Sequence, residues 1–252
     1  MENKKKKSSK ALTIVISALV PIVVIAVVLG VFGSWALGQI DTYGKVTQDI
    51  KAENFAYENQ TALKGQTVFV GDSITEYYQL VDSYGDYMKQ TGTLVYNRGI
   101  SAECTDHLLA RFDNSVLNIE PKNMVLLIGV NDLGQGVPED TIYNNIKTMI
   151  EKTQSQCPQT NIILQALYPI DENRPEFYDR FMVGSARTNE QIQSLNARLK
   201  TLAEEKGIHY LDLTDQLADE NGAFRAEYTM DGLHPNAAGY EIITKAIKPL
   251  LK

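Results

Sequence analysis

Cysteine is scarce in this chain, with two in 252 residues, Cys104 and Cys157. Two cysteines cannot build the disulfide framework that stabilises small secreted domains, and their spacing does not fit a structural zinc site. The sequence leaves two interpretations open for them, one disulfide bridge or two free thiols. Neither lies near the N-terminal apolar segment, so that segment has no cysteine to accept a lipid.

Charged side chains are absent between Ala11 and Ile40, and the segment from Leu12 to Phe32 is rich in Ile, Val and Leu. A helix needs roughly 20 apolar residues to cross about 30 Å of hydrocarbon, so the sequence predicts a transmembrane signal anchor at 11–33. Pro21 lies inside it, which membrane helices tolerate better than soluble ones. A cleaved signal peptide is the alternative, although its apolar stretch is normally only about 7–15 residues long.

Lysine is concentrated ahead of this segment. Residues 1–10 hold five lysines and one glutamate, a charge of +4, and since the whole chain carries −7, residues 11–252 carry −11. The positive-inside rule predicts a basic cytoplasmic tail at 1–10, with everything after the span outside the cell. An acidic domain is not expected to bind nucleic acid through its charge.

A polar segment, 34–65, follows the apolar one and predicts an extracellular stalk. Short apolar runs then alternate with helical patterns over 66–252, and no internal repeat of about 20 to 50 residues is present. The predicted strands are Thr67–Val70, Leu94–Tyr96, Met124–Ile128, Asn161–Leu167 and His209–Leu211. Because these runs are continuously apolar, we expect the sheet to be covered on both faces.

Helical spacing of apolar residues predicts helices at Glu139–Gln156, Asn189–Lys206 and Asn236–Lys248, with weaker helices after the first two strands. The alternation of strands and helices is typical of a single α/β domain with a parallel sheet. In such sheets the functional residues lie on loops at the carboxyl ends of the strands.

Polar motifs follow the first three predicted strands, and a fourth precedes the last helix. They are Gly71-Asp72-Ser73, Asn97-Arg98-Gly99, Gly129-Val130-Asn131-Asp132 and Asp231-Gly232-Leu233-His234-Pro235. Taken singly, each favours a turn or a helix cap. Together they supply a hydroxyl, an imidazole, a carboxylate and amide donors, which serine nucleophiles need for activation and for oxyanion stabilisation.

In these four blocks the sequence resembles the SGNH, or GDSL-type, hydrolases of the lipase/acylhydrolase-like branch, over about residues 67–252. The resemblance implies a three-layer α/β/α sandwich whose central five-stranded parallel sheet has flavodoxin-like order. It implies Ser73 as the nucleophile, His234 as the general base and Asp231 as its partner. It also implies oxyanion donors at Ser73, Gly99 and Asn131, and neither a metal nor an organic cofactor.

The chain departs from the family pattern after Gly99. Many relatives have a Gly-Asp pair where this chain has Ala102-Glu103-Cys104, which leaves the nearby pocket wall undetermined. The segment Tyr168–Arg187 is too long for a simple strand–helix connection, and it is either a substrate rim or a solvated excursion.

The expected function is hydrolysis of carboxylic esters through an acyl-serine intermediate, at the outer face of a membrane. Acylated envelope sugars and lipid esters are the candidate substrates. Two alternatives stay open: an inactive surface-binding domain with the same fold, and an acyltransferase. The sequence does not set the oligomeric state.

Overall fold

The structure, a computed structural model, describes residues 2–171, 173 and 187–252. Most of the predicted rim segment Tyr168–Arg187 therefore lies outside the described residues. The chain divides into two compact units, the first ending at Ile50 and the second spanning Lys51–Lys252.

The first unit is helical and belongs to one helix, α1 (Glu2–Glu58), so the predicted stalk is helical as far as Glu58. Within the part of the chain that the structure describes, no helix is both long enough and apolar enough to cross a membrane. The transmembrane helix predicted at 11–33 is not supported by these residues. Because the side chains of residues 11–24 lie outside the description, the span and the domain limits stay predictions.

The second unit is built on a parallel sheet. Within the described residues its strands are β1 (Thr67–Gly71), β2 (Val95–Gly99), β3 (Asn123–Leu127), β4 (Asn161–Gln165) and β5 (His209–Leu211). Their order is β2-β1-β3-β4-β5, and every neighbouring pair is parallel. This confirms the predicted five-stranded parallel sheet and its flavodoxin-like order.

Strand β2 differs most from its prediction, since it continues past Tyr96 to Gly99. Asn97, Arg98 and Gly99 pair with Phe69, Val70 and Gly71 of β1. Asn and Gly are depleted in strands, so a prediction based on apolar residues alone ends this strand too early.

The helices that follow the strands cover the sheet. They are α2 (Ser73–Glu76), α3 (Leu80–Thr91), α4 (Thr105–Ser115), α5 (Val130–Gly134), α6 (Glu139–Gln156), α7 (Asn189–Lys206), α8 (Thr214–Leu217) and α9 (Ala237–Ile247). The predicted bounds of α6 and α7 are confirmed. Helix α9 begins one residue later than predicted, because the Asn236 side chain caps it by accepting from the Ala238 and Gly239 amides.

The core lies between the sheet and two groups of helices, with α4, α6 and α7 in one group and α3 and α9 in the other. Strands β1 and β3 are buried along their whole length, and each large aliphatic side chain buried there stabilises the fold by about 1.5–3 kcal/mol. The strand register aligns Gly71, Gly99 and Leu127 in one row. The loops that leave this row all start at the same edge of the sheet, where the predicted site residues lie.

Candidate active site

Ser73 begins the short helix α2 directly after β1. The side chain of Asp72 caps this helix, and its Oδ1 accepts a hydrogen bond of 2.9 Å from the Ile74 amide. This cap fixes the turn between strand and helix, and the hydroxyl of Ser73 is thereby held at the carboxyl edge of the sheet.

The residues predicted to form a catalytic trio lie within hydrogen-bonding distance of one another. Ser73 Oγ is 2.8 Å from His234 Nε2, and His234 Nδ1 is 2.7 Å from Asp231 Oδ2. Since Nδ1 faces a carboxylate, it carries the ring hydrogen in the neutral imidazole, and Nε2 is left to accept from the serine hydroxyl.

The loop 229–235 holds Asp231 and His234 in this arrangement. Asp231 Oδ1 accepts from the amides of Leu233 and His234, at 2.9 and 2.8 Å. Gly232 adopts a φ of 91°, a left-handed conformation that glycine enters without strain. The Thr229 hydroxyl accepts from the Gly232 amide at 3.0 Å and donates to the His234 carbonyl at 2.8 Å.

Asp231 presents an ionised carboxylate to the His234 ring, because its pKa is lowered. Burial works to raise the pKa of Asp231, but the hydrogen bonds from the ring and amide of His234 and the amide of Leu233 outweigh it, and the pKa is lowered. An ionised carboxylate at Nδ1 stabilises the imidazolium that forms when His234 accepts a proton.

A glycine is required at position 99 because the main chain of β2 lies very close to the main chain of α2 there. A Cβ at this position would collide with the Glu76 nitrogen and would lie 2.8 Å from the Asp72 carbonyl oxygen, so the end of β2 can touch α2 only through a glycine. The Gly99 amide donates to Asn97 Oδ1 at 2.9 Å. Its predicted oxyanion role stays a prediction, with the amide hydrogen directed at a side chain of its own strand.

Asn131 lies in α5, which follows β3. Its side-chain amide donates one hydrogen bond, of 3.1 Å, to the carbonyl of Glu103. A primary amide carries two hydrogens, so a second donor of Asn131 remains for another acceptor. This contact also joins the loop after β3 to the loop after β2.

Ala102 is a site feature that the sequence does not reveal. It adopts a φ of 60°, a left-handed conformation that costs a non-glycine residue about 1–2 kcal/mol. Among the described residues, neither the Ala102 amide nor the Ser73 amide has a hydrogen-bond acceptor. Strained backbone clusters at functional sites, and a glycine here would have been the visible signal.

Asp72 is a buried carboxyl next to Ser73. Its Oδ2 has no hydrogen-bond partner among the described residues. Burial raises the pKa of Asp72 to about 7, against the opposing effects of the Ile74 amide and the charges of His234 and Arg187.

Two exposed side chains are neighbours of the trio, Tyr77 in space and Met230 in sequence. The Tyr77 ring lies 5.2 Å from the His234 ring, centroid to centroid, and is 43% exposed. Met230, which precedes Asp231, is 48% exposed. The Tyr77 ring offers an aromatic surface beside His234, and Met230 adds an exposed, flexible thioether to the loop 229–235.

The described residues contain no group of three His, Cys, Asp or Glu side chains arranged to hold a metal ion. Cys104 and Cys157 are both free thiols. Burial raises the pKa of the Cys104 thiol, which makes it a poor nucleophile.

The sequence and the fold are similar to those of known proteins. A family model described as the GDSL-like Lipase/Acylhydrolase family matches residues 69–242. A Streptococcus pneumonia structure described as a platelet activating factor is similar, with 30% identity, a TM-score of 0.78 and coverage of 87% of this chain and 99% of that chain. A GDSL-like lipase from Bacteroides thetaiotaomicron is similar, with 28% identity, a TM-score of 0.65 and coverage of 79% and 96%. Platelet-activating factor acetylhydrolase IB subunit alpha1 of Bos taurus is 25% identical over 74% of this chain and 75% of its own length.

Replacing the buried carboxyl of Asp72 changes how stability depends on pH. Folding raises the pKa of Asp72 from 3.8 to about 7, so between these values the folded protein binds a proton that the unfolded chain releases. The free energy of unfolding of the native protein therefore falls as the pH rises from about 4 to about 7. Asp72→Asn has no titrating proton at this position, so its free energy of unfolding does not fall for this reason. Urea unfolding at about pH 4 and about pH 8 measures the change.

We expect the free energy of unfolding of Asp72→Asn, relative to the unaltered protein, to be higher at the upper pH. Asp106→Asn, on the exposed start of α4, is the matched control. A difference that stays the same at both pH values would contradict the assignment of a buried, protonated Asp72.

Proposed function

The chain belongs to the GDSL-like Lipase/Acylhydrolase family and is a serine ester hydrolase, and from that premise we propose that Ser73 is its nucleophile, His234 its general base and Asp231 the partner of that base. The observation that carries the proposal is the continuous pair of contacts, 2.8 Å from Ser73 Oγ to His234 Nε2 and 2.7 Å from His234 Nδ1 to Asp231 Oδ2.

The proposed reaction has two halves. Ser73 Oγ attacks the ester carbonyl carbon while its proton passes to His234 Nε2, and the protonated ring then gives that proton to the departing alcohol oxygen. The acyl group stays on Ser73. Water repeats the sequence on the acyl-serine, with His234 taking a proton from water and returning it to Ser73 as the acid leaves.

Negative charge develops on the carbonyl oxygen in each half. We assign its stabilisation to the amide of Ser73 and the second side-chain hydrogen of Asn131, with the strained Ala102 amide as a further donor. The predicted Gly99 amide would join them only after releasing Asn97 Oδ1. Preset donors of this kind act without reorganisation at the moment of reaction, and each is worth about 10²–10³ in turnover.

A short acyl group, acetyl in particular, is the proposed acid portion of the substrate. The support is the name of the Bos taurus relative, an acetylhydrolase. Tyr77 and Met230 are the surface we assign to the alcohol portion, since both side chains are exposed, Tyr77 lies beside His234 and Met230 precedes Asp231 in the chain. Acylated envelope sugars and lipid esters remain the two candidate alcohol classes.

We place this activity at the outer surface of a membrane, anchored through α1. The large apolar side chains that α1 exposes include Ile25, Val27, Val28, Leu29, Val31, Phe32 and Trp35, each more than half accessible. In water such a surface is unfavourable by about 25 cal/mol per Å², and lipid would cover it on every side. The five lysines of residues 1–10 favour a cytoplasmic N-terminus.

Ser73→Ala tests the mechanism. Loss of the nucleophile is expected to lower turnover of p-nitrophenyl acetate by roughly 10⁴–10⁶ and to abolish covalent labelling by a fluorophosphonate. Ser194→Ala, on the exposed face of α7, keeps both properties. A folded Ser73→Ala variant with undiminished hydrolysis would falsify the mechanism, and labelling without any hydrolysis of esters would favour the acyltransferase.

A series of p-nitrophenyl esters tests the acyl group. We expect kcat/KM to fall from acetate through butyrate to octanoate, because the reaction rate reports transition-state binding of the acyl chain. Tyr77→Ala should change KM for esters of larger alcohols more than KM for p-nitrophenyl acetate. A preference for octanoate would reject the short-acyl assignment.

The location is tested with the full chain in the cells that express it. The full chain should sediment with membranes, resist extraction by high salt and enter detergent, whereas a chain lacking residues 1–33 should be soluble and keep its esterase activity. Protease added to intact cells should digest the catalytic unit. A full chain that stays in the soluble fraction would overturn the anchor and leave the catalytic proposal intact.

A further inference from the structure

The last turns of α1 lie against the catalytic unit through one helical face. Lys51 and Phe55 are spaced so that they share this face with Asn59, which follows the end of the helix, and all belong to the second compact unit. Their neighbours on the same helix, Glu53, Asn54 and Tyr57, are exposed. The sequence predicts only a polar stalk here, so these contacts have no counterpart in the motifs.

Glu76 joins three segments through one carboxylate. Its Oε1 forms an ion pair with Lys51 Nζ, and its Oε2 accepts from both the amide and the hydroxyl of Ser101, each at 2.6 Å. Burial works to raise the pKa of Glu76, but the bonds from Lys51 and Ser101 outweigh it and lower the pKa. A charged carboxylate thus ties α1 to the loop after β2, from the same short helix that carries Ser73.

Phe55 packs against two arginines that flank that loop in the chain, Arg98 before it and Arg111 after it. Its ring lies under the guanidinium groups of Arg98 and Arg111, at 4.8 and 5.5 Å, and Asn59 Oδ1 accepts from Arg98 at 2.8 Å. Contacts between a cation and a ring face are attractive within about 6 Å. The arginines are therefore packed from the side of α1.

Arg111 connects these contacts to the candidate active site. It binds the buried carboxylate of Glu103 through two hydrogen bonds of 2.7 and 2.6 Å, and it donates a third, of 2.7 Å, to the Arg98 carbonyl. The Glu103 carbonyl accepts the amide of Asn131 at 3.1 Å. An unbroken series of contacts leads from α1 to an oxyanion donor.

We propose that Lys51 and Phe55 are positioning residues for ester hydrolysis, which hold the loop 100–104 so that the Asn131 and Ala102 amides face the reacting carbonyl. The inference rests on the proposed function. Ala102 is strained, so the loop does not favour this conformation by itself, and the contacts on both of its sides oppose its relaxation. Displacement of a donor by about 1 Å can cost up to about 10² in rate.

Kinetics of the full chain, purified in detergent, test this inference. We expect Lys51→Met and Phe55→Leu to lower kcat for p-nitrophenyl acetate by about tenfold while KM stays within about twofold, because the donors act in the transition state. Lys51→Arg, which keeps the charge, should retain most of the activity. Turnover is expressed per Ser73 labelled by a fluorophosphonate, so that unfolded protein does not enter the comparison.

Lys64→Met is the matched control. It removes another lysine that forms an ion pair, with Glu120 at 2.5 Å, outside the loop 100–104. Part-exposed ion pairs add little to stability, so neither lysine variant should lower the melting temperature much, and Lys64→Met should keep normal kcat.

A double-mutant cycle gives a second readout. Lys51→Met and Glu76→Gln interrupt the same connection, so the double variant should be hardly slower than the slower single variant. Losses that simply multiply would contradict the proposed connection. If Glu76→Gln does not fold, the difference in kcat between Lys51→Met and Lys51→Arg still shows whether the charge of Lys51 supports turnover.

The outcomes separate the two proposals. An unaltered protein that neither hydrolyses esters nor reacts with the fluorophosphonate overturns the proposed function. An active unaltered protein whose Lys51→Met and Phe55→Leu variants keep their kcat per labelled site overturns this inference alone.

Discussion

The contact of two main-chain segments at Gly99 determines how the carboxyl edge of the sheet is built. With no side chain at this position, the end of β2 lies directly against the backbone of α2, at Asp72 and Glu76. Gly71 makes a similar approach to the Leu127 carbonyl. The helix that begins at Ser73 therefore packs closely on the end of β2, and this packing holds Ser73 at the carboxyl edge of the sheet.

Buried polar groups hold the surrounding loops, and they do so at a cost. Glu103 and Arg111 are nearly inaccessible, and removing two charges from water costs several kcal/mol per ion before their attraction compensates. Asp132 is buried as well, and it accepts from the Thr105 amide at 3.0 Å and from its hydroxyl at 2.6 Å. Apolar side chains in place of this ion pair would avoid the cost of desolvation, but they would not fix the direction of the Asn131 amide. The polar connections therefore specify a conformation more than they stabilise the fold.

Much of the fold can be predicted from local pattern. The strands are continuously apolar because both of their faces are buried, and α7 can be delimited because Thr188 and Gln191 form a capping box at its start and Gly207 ends it with a φ of 62°. The close spacing of Asp231 and His234 also makes their contact predictable. Their distance from Ser73 is a different matter, since it depends on the order of the strands, and the resemblance to a family supplied what spacing could not.

The features that sequence reasoning missed leave no signal in the residue types themselves. Nothing in the letters shows that the Gly99 amide is directed to Asn97, that Ala102 is left-handed, or that Phe55 lies under two arginines. The residue type alanine does not predict a positive φ, and a phenylalanine in a polar segment does not indicate which residues it contacts. Such residues become visible only when the tertiary structure sets the neighbours of each side chain.

The proposed trio of Ser73, His234 and Asp231 would account for ester hydrolysis in general. It would not by itself account for selectivity, because the same chemistry serves many substrates. Selectivity has to arise from groups that contact the substrate beside the trio or that set the positions of the donors. Among the described residues, the proposed candidates are the exposed side chains of Tyr77 and Met230, and the loop 100–104 with its support from α1. The helix that leads out of the apolar segment ends on that support. The end of α1 and the loop 100–104 would then act as one structural element, and a change in that helix end would alter turnover without touching the substrate.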